Sequence, residues 1–167
     1  VYVTHKIATQ SWQASGGNRR KEALPHWCYS RGVKYDDGLY LPTKKEPLID
    51  GISGATPHES FNIKLNPATA LKKFVVKIEI NHSTDFNEAF PKSAKDGEAN
   101  YSGGKEGSRQ PAIVYAANVD LSSGEKSFEA NLMGHSSPDG SSGEVNKDTS
   151  GLTTALHIVK RITVIIQ

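Results

Sequence analysis

Period-two alternation of apolar and polar residues dominates the chain. Phe61, Ile63 and Leu65 alternate with Asn62 and Lys64, and Phe74, Val76, Ile78 and Ile80 alternate with Val75, Lys77 and Glu79. Ile113, Tyr115, Ala117, Val119 and Leu121 form one face of a third run, and Phe128, Ala130 and Leu132 alternate with Glu129 and Asn131 in a fourth. Successive side chains on a strand point to opposite faces, so each run predicts a strand with one face buried and one wet. The N-terminus repeats the pattern at Val1, Val3, His5 and Ile7, and the C-terminus at Leu156, Ile158, Ile162, Val164 and Ile166. Lys160 interrupts that last face, which predicts a bulge or a change of register there. A short helix over about 152–160 competes for the same segment, because Leu152, Leu156 and Val159 also fit helical spacing; the abundance of Thr, Ile and Val favours the strand.

Turn signals separate the runs: Asn66-Pro67, Ser122-Ser123-Gly124, and Pro138 to Gly143. Six or seven short strands joined by turns predict an all-β, antiparallel β-sandwich spanning residues 1–167 as one domain. The runs at 60–65, 73–80, 111–121 and 127–133 are expected as antiparallel strands that bury Phe74, Val76, Ile78, Ile113, Tyr115 and Phe128. No amphipathic helix stands out. Residues from about 10 to 50 are different, mixing aromatics, charges, Pro and Gly without a period. Long ordered excursions of this kind tend to be functional. A second excursion, at 91–110, is rich in Gly, Ser and Lys.

The composition narrows the setting. No apolar run reaches the roughly 20 residues of a membrane-spanning helix, so no membrane insertion is expected. The formal charge of +2 gives no case for nucleic acid or an anionic membrane. Eight Lys/Arg against four acids put +4 on residues 1–49 and leave −2 for the rest. With Cys28 the single cysteine, no internal disulfide can form. The start at Val1, directly in strand-like sequence, is read as following a removed leader.

The candidate chemistry lies at Asp50-Gly51-Ile52-Ser53-Gly54-Ala55-Thr56, with Pro57 after it. The stretch resembles the flavinylation signal, an Asp, two variable residues, then Ser/Thr-Gly-Ala-Thr. Extracytoplasmic flavin transferases esterify FMN through its phosphate onto the last Thr of that signal. An acceptor hydroxyl that must enter another protein's active site needs an exposed, bendable loop, so 50–57 is expected to be one. Gly54 opens backbone dihedrals closed to other residues and Ala55 keeps the approach uncrowded. Asp50 either orients the hydroxyl or contacts the transferase's metal. His58 stands where many flavinylated domains carry Ser or Thr, two residues past the acceptor, and could hydrogen-bond the flavin. The same residue types also fit a plain solvent-exposed turn.

The chain as a whole resembles a group of uncharacterised bacterial periplasmic domains encoded beside flavin transferases and PepSY-type membrane proteins. The resemblance rests on Thr4-His5-Lys6, Gln10-Ser11-Trp12, Leu24-Pro25-His26-Trp27, the Asp50–Pro57 stretch, Phe61–Leu65, Ile78–Asn87 and Thr153-Thr154-Ala155-Leu156. It implies an immunoglobulin-like antiparallel β-sandwich with long irregular loops, in the periplasm or on the cell surface. It also implies FMN on Thr56, a flavin transferase and a PepSY-type membrane redox partner, and electron transfer to an unknown acceptor. Two other readings remain open: an immunoglobulin-like binding or assembly module without cofactor, and a flavin-dependent extracellular reductase of a small molecule.

Other residues invite weaker readings. His5, His26, His58, His82, His135 and His157 show no metal-ligand spacing, and no metal is expected; His157 is read as structural, on a strand. Trp12, Trp27, Tyr29, Tyr35 and Tyr40 suit a patch closing one end of the sandwich, or a ring stacked on the flavin. At least one of them, and one of Arg19, Arg20, Arg31 or Lys34, is expected near the Thr56 loop. Cys28 is read as a buried, inert thiol.

Overall fold

The four internal alternating runs form strands, as do parts of the two terminal ones. In chain order these are β1 (Tyr2–Thr4), β2 (Ile49–Ile52), β3 (Glu59–Leu65), β4 (Lys73–Ile80), β5 (Ile113–Asp120), β6 (Ser127–Ser136), β7 (Val145–Asn146) and β8 (Val159–Ile166). Two short helices, α1 (Pro25–Ser30) and α2 (Ala155–Ile158), and a 3-10 turn at Leu121–Ser123 complete the elements. The computed structural model describes residues 2–4, 24–40, 49–52, 57–67, 70–81, 93, 95, 98, 111–137, 142–152 and 155–167, with backbone alone for 2–4 and 49–52. No helix among the described residues is long and apolar enough to cross a membrane.

Six strands make one mixed sheet in the order β3-β8-β6-β5-β4, with β7 added to β6, while β1 and β2 pair separately. β6 is the hinge of this sheet. Its residues Ser127–Ala130 pair with β8, and Asn131–His135 pair with β5. On a flat sheet β3 and β4 would lie about 19 Å apart, at about 4.8 Å per strand step. Yet Phe61, Ile63 and Leu65 of β3 and Phe74, Val76 and Ile78 of β4 pack against one core of Ile113, Tyr115, Phe128, Ile162 and Val164. The sheet therefore curls, and its concave face closes over a single apolar interior.

Two bulges interrupt the ladders. Between Val114↔Gly134 and Tyr115↔Leu132 the register skips Met133, inside the β5–β6 ladder. Gly134 then adopts φ 140°, and a Cβ there would lie 2.0 Å from the Asn146 carbonyl oxygen, so only glycine lets β7 approach. The second bulge is at Lys160, as the broken apolar face predicts: Glu59 pairs with Val159 and Ser60 with Arg161. Glu59 takes φ 58°, and its carboxylate pairs with the Lys160 ammonium.

Several expectations need correction. β3 runs parallel to β8, not antiparallel, because alternation fixes which face is buried but not which strand is the neighbour. Phe74, Val76 and Ile78 are half-buried, since β4 ends the strand row and has a sheet neighbour on one side only. α2 occupies part of the segment where helix and strand competed, and His157 is exposed on it. The sheet carries an otherwise all-β chain.

Ile162 is 1% exposed at the centre of the core. Ile162→Ala should destabilise the fold by about 2–5 kcal/mol in urea unfolding, through lost transfer energy and a residual cavity. Lys64→Ala, on the exposed face of β3, should change it by less than about 0.5 kcal/mol. Equal effects would contradict the assigned core face.

Candidate functional site

The flavinylation-like stretch enters the structure through its flanks. Asp50 and Gly51 lie in β2, not in the expected loop, since β1 supplies them a backbone partner strand. Val3 pairs with Gly51 and Thr4 with Ile49, so Asp50 is the extra residue of a bulge. Ser53, Gly54, Ala55 and Thr56 lie outside the described residues, as does any approach of Trp12, Arg19 or Arg20 to them. Pro57 is half-buried and His58 exposed, directly before β3. Strand registers fix where this connection enters. The beginnings of β3, β8 and β5 and the ends of β4 and β6 all lie at one end of the curled sheet.

At that same end the structure assembles a second polar cluster. Residues 24–40, expected to be irregular, contain α1 and a turn closed by Tyr35 N–H donating to Leu39 O. Pro25 at the first helical position has no amide to satisfy, which suits the start of α1. Leu24 at the N-cap offers no side-chain acceptor, so the next amides need one from elsewhere. Glu79 on β4 provides it. His26 N–H donates to Oε1 at 3.1 Å and Trp27 N–H to Oε2 at 2.7 Å. One carboxylate, 52 and 53 residues away in sequence, thus caps the helix with both oxygens.

Glu79 is on the outer face of β4, opposite Val114 of β5. Its carboxyl pKa is pushed up from 4.5 to about 7. Burial is the main cause; the Trp27 and His26 amides and the Ser136 hydroxyl hold it back from rising further. Glu79 is thus close to half-protonated at neutral pH.

The His26 ring extends the cluster. Nδ1 lies 2.7 Å from the Gly143 carbonyl oxygen. A carbonyl only accepts, so Nδ1 carries the proton and Nε2 takes a hydrogen from the Lys77 ammonium at 3.3 Å. α1 therefore ties β4 to the segment leading into β7. Tyr29 lies flat against that segment: a Cβ on Gly143 would meet the Tyr29 ring at 2.0 Å. Tyr40 leans on Tyr29 with ring centroids 4.6 Å apart, and the Lys34 ammonium sits 6.0 Å from the Tyr40 centroid. Cys28 is in no disulfide and fully buried, and its burial is as expected.

Sequence reasoning singled out the aromatics of this cluster but missed Glu79, Lys77 and Gly143. The available signal for Glu79 was a carboxylate beside Ile80 in a strand near its end, which alternation reads as solvent-facing. Among the described residues no group of three or more His, Cys, Asp and Glu could hold a metal ion. The cluster's chemistry is that of a carboxylate that changes protonation near neutrality while holding a helix end.

Gly143→Ala should force the Tyr29 ring off the β7 segment and destabilise the protein by about 1–3 kcal/mol. In Tyr29→Ala the same substitution should be nearly neutral, and a thermal double-mutant cycle measures the difference. Additive effects would contradict the contact. In comparison with known proteins, no family model, no curated protein and no solved structure matches this chain.

Proposed function

We propose that this chain is an extracytoplasmic flavin carrier of immunoglobulin-like build, with FMN joined to Thr56 by a phosphoester. The complete Asp-x-x-Ser-Gly-Ala-Thr signal at Asp50–Thr56 carries the reading. Its position supports it. The signal starts on a paired strand and runs into the connection before β3, so its first residues are anchored while the acceptor follows a strand end. The exposed His58, two residues past Thr56, is compatible with access by a transferase. The immunoglobulin-like assignment draws support from the parallel pairing of β3 with the last strand in an otherwise antiparallel sheet.

In the attachment step the Thr56 hydroxyl oxygen attacks the FMN-side phosphorus of FAD. The pyrophosphate bond breaks, AMP leaves with its electron pair, and the hydroxyl proton passes to a base of the transferase. Bound FMN supplies the electron chemistry; the protein supplies anchorage and local electrostatics. A PepSY-type membrane reductase is the proposed donor.

Coexpression with an extracytoplasmic flavin transferase tests the proposal. The intact mass should rise by one FMN less one water, with the adduct on the peptide containing Thr56, and Thr56→Ala should abolish it. An unmodified mass from cells in which the same transferase modifies a control substrate would overturn it.

A further inference from the structure

The β4 end of the strand row presents an unpaired edge. β4 pairs with β5 from Lys73 to Ile80 without a register shift, and has no neighbour on its other side among the described residues. The bonding phase of that ladder is fixed at its start, where Leu121 N–H donates to Lys72 O at 2.8 Å. Hydrogen-bonded positions alternate along an antiparallel pair, so Phe74, Val76, Ile78 and Ile80 bond to β5. Lys73, Val75, Lys77 and Glu79 turn their N–H and C=O groups outward, where no described residue meets them. Such an edge is a template for another strand. Lysines commonly blunt it, but here Lys73 is held by Asp120 at 2.9 Å and Lys77 by His26 at 3.3 Å. Val75 between them is 53% exposed.

We propose that β4 is the interface of a homodimer, in which two copies of this chain pair antiparallel, edge to edge, about a two-fold axis at Val76. The dimer is independent of the flavin reading.

A two-fold axis demands that the edge complement itself. Outward-facing residues must meet one another, so the axis passes through a residue and not between two. Centred on Val75, Lys73 would face the partner's Lys77; centred on Lys77, that lysine would face its own copy. Centred on Val76, Lys73 lies opposite the partner's Glu79 at both ends, and Val75 lies opposite the aliphatic stem of the partner's Lys77. Opposite charges directly across an antiparallel pair stabilise it and like charges destabilise it, which selects the Val76 axis. On the other face the same register sets Phe74 against the partner's Ile78 and Val76 against the partner's Val76, residues that the open edge leaves half-buried. Glu79 accepts two amides of α1 and has no ion-pair partner among the described residues, so the partner's Lys73 supplies one. β3, at the other end of the row, offers no equal: it begins at the Glu59 bulge, and its only later charge is Lys64.

Sedimentation equilibrium of the chain made without a transferase tests the dimer. A strand-edge contact belongs to the small, transient class of interface, so a Kd of roughly 0.1 mM is expected, with monomer at about 5 μM and mostly dimer at about 0.5 mM. Val75→Pro removes an outward N–H and no β4–β5 bond, so the fold should stand while dimerisation is lost. Lys73→Glu should weaken the dimer by roughly tenfold, through two cross-strand pairs. A wild type that stays monomeric at the higher concentration overturns the proposal, and so does a dimer that Val75→Pro leaves intact. A dimer strengthened by Lys73→Glu overturns the axis at Val76. Should Val75→Pro not fold, amide exchange of the wild type decides. Slowing of the Val75 and Lys77 amides at the higher concentration, with those of Val76 and Ile78 unchanged, supports the dimer; equal exchange at both concentrations overturns it.

Discussion

The structure depends on one strand, β6, that joins the two halves of the sheet. β6 gives its first four residues to β8 and the following ones to β5, and neither half of the sheet would meet the other without that exchange. Backbone groups buried in an apolar interior must be paired, and β6 meets this by passing from β8 at Ala130 directly to β5 at Asn131. Met133 and Gly134 interrupt the β5 ladder two residues further on, where Gly134 takes a positive φ. Once the sheet is curled, Ile113, Ile162 and Val164 leave water together, and full burial of each contributes about 1.5–3 kcal/mol. The apolar core is therefore a consequence of the partner exchange along β6 as much as of the apolar residues.

The outer face of the same sheet follows a different logic. Val114, with no exposed surface, lies beside Glu79 on the convex side, a face that alternation alone would leave wet and to which α1 hydrogen-bonds through Glu79. Glu79 is half-buried there. A rise from 4.5 to about 7 means that ionisation there is less favourable by about 3 kcal/mol than in water. Charge-assisted amide bonds contribute about 1.5–3 kcal/mol each, and here they do not offset the desolvation. A Ser or Asp at residue 24 would cap α1 locally and without this conflict. Leu24 instead leaves the helix end to a strand residue, which makes the local order of α1 answer to a tertiary contact.

That division also explains what was legible in the sequence. The faces of β3 and β8, the inward face of β5, the first half of β6, the turn after Asp120 and the bulge at Lys160 were readable, because each is set by side chains within a few residues. Asp120 shows why: its carboxylate accepts Ser122 N–H at 3.0 Å and caps its own turn. Leu132, expected inward with Phe128 and Ala130, is 45% exposed, since β6 changes partner after Ala130. The parallel partner of β3 was not legible, since it is fixed by a residue pairing about a hundred positions away. α1 was missed for a related reason. Six residues show too little periodicity, and the acceptor that starts the helix belongs to β4. The flavinylation-like signal was legible as a motif, and its Asp50 proves to sit at a strand bulge where a loop was expected.

The two ends of the chain's chemistry share one end of its sheet. β3 begins there behind Thr56, and β4 ends there with Glu79. The core strands would keep their apolar contacts with α1 undocked, because the core cluster contains no residue of α1. Local opening of α1 therefore need not carry the global unfolding free energy. Tyr29 of α1, and the Tyr40 ring that leans on it, belong to this separable unit and not to the core.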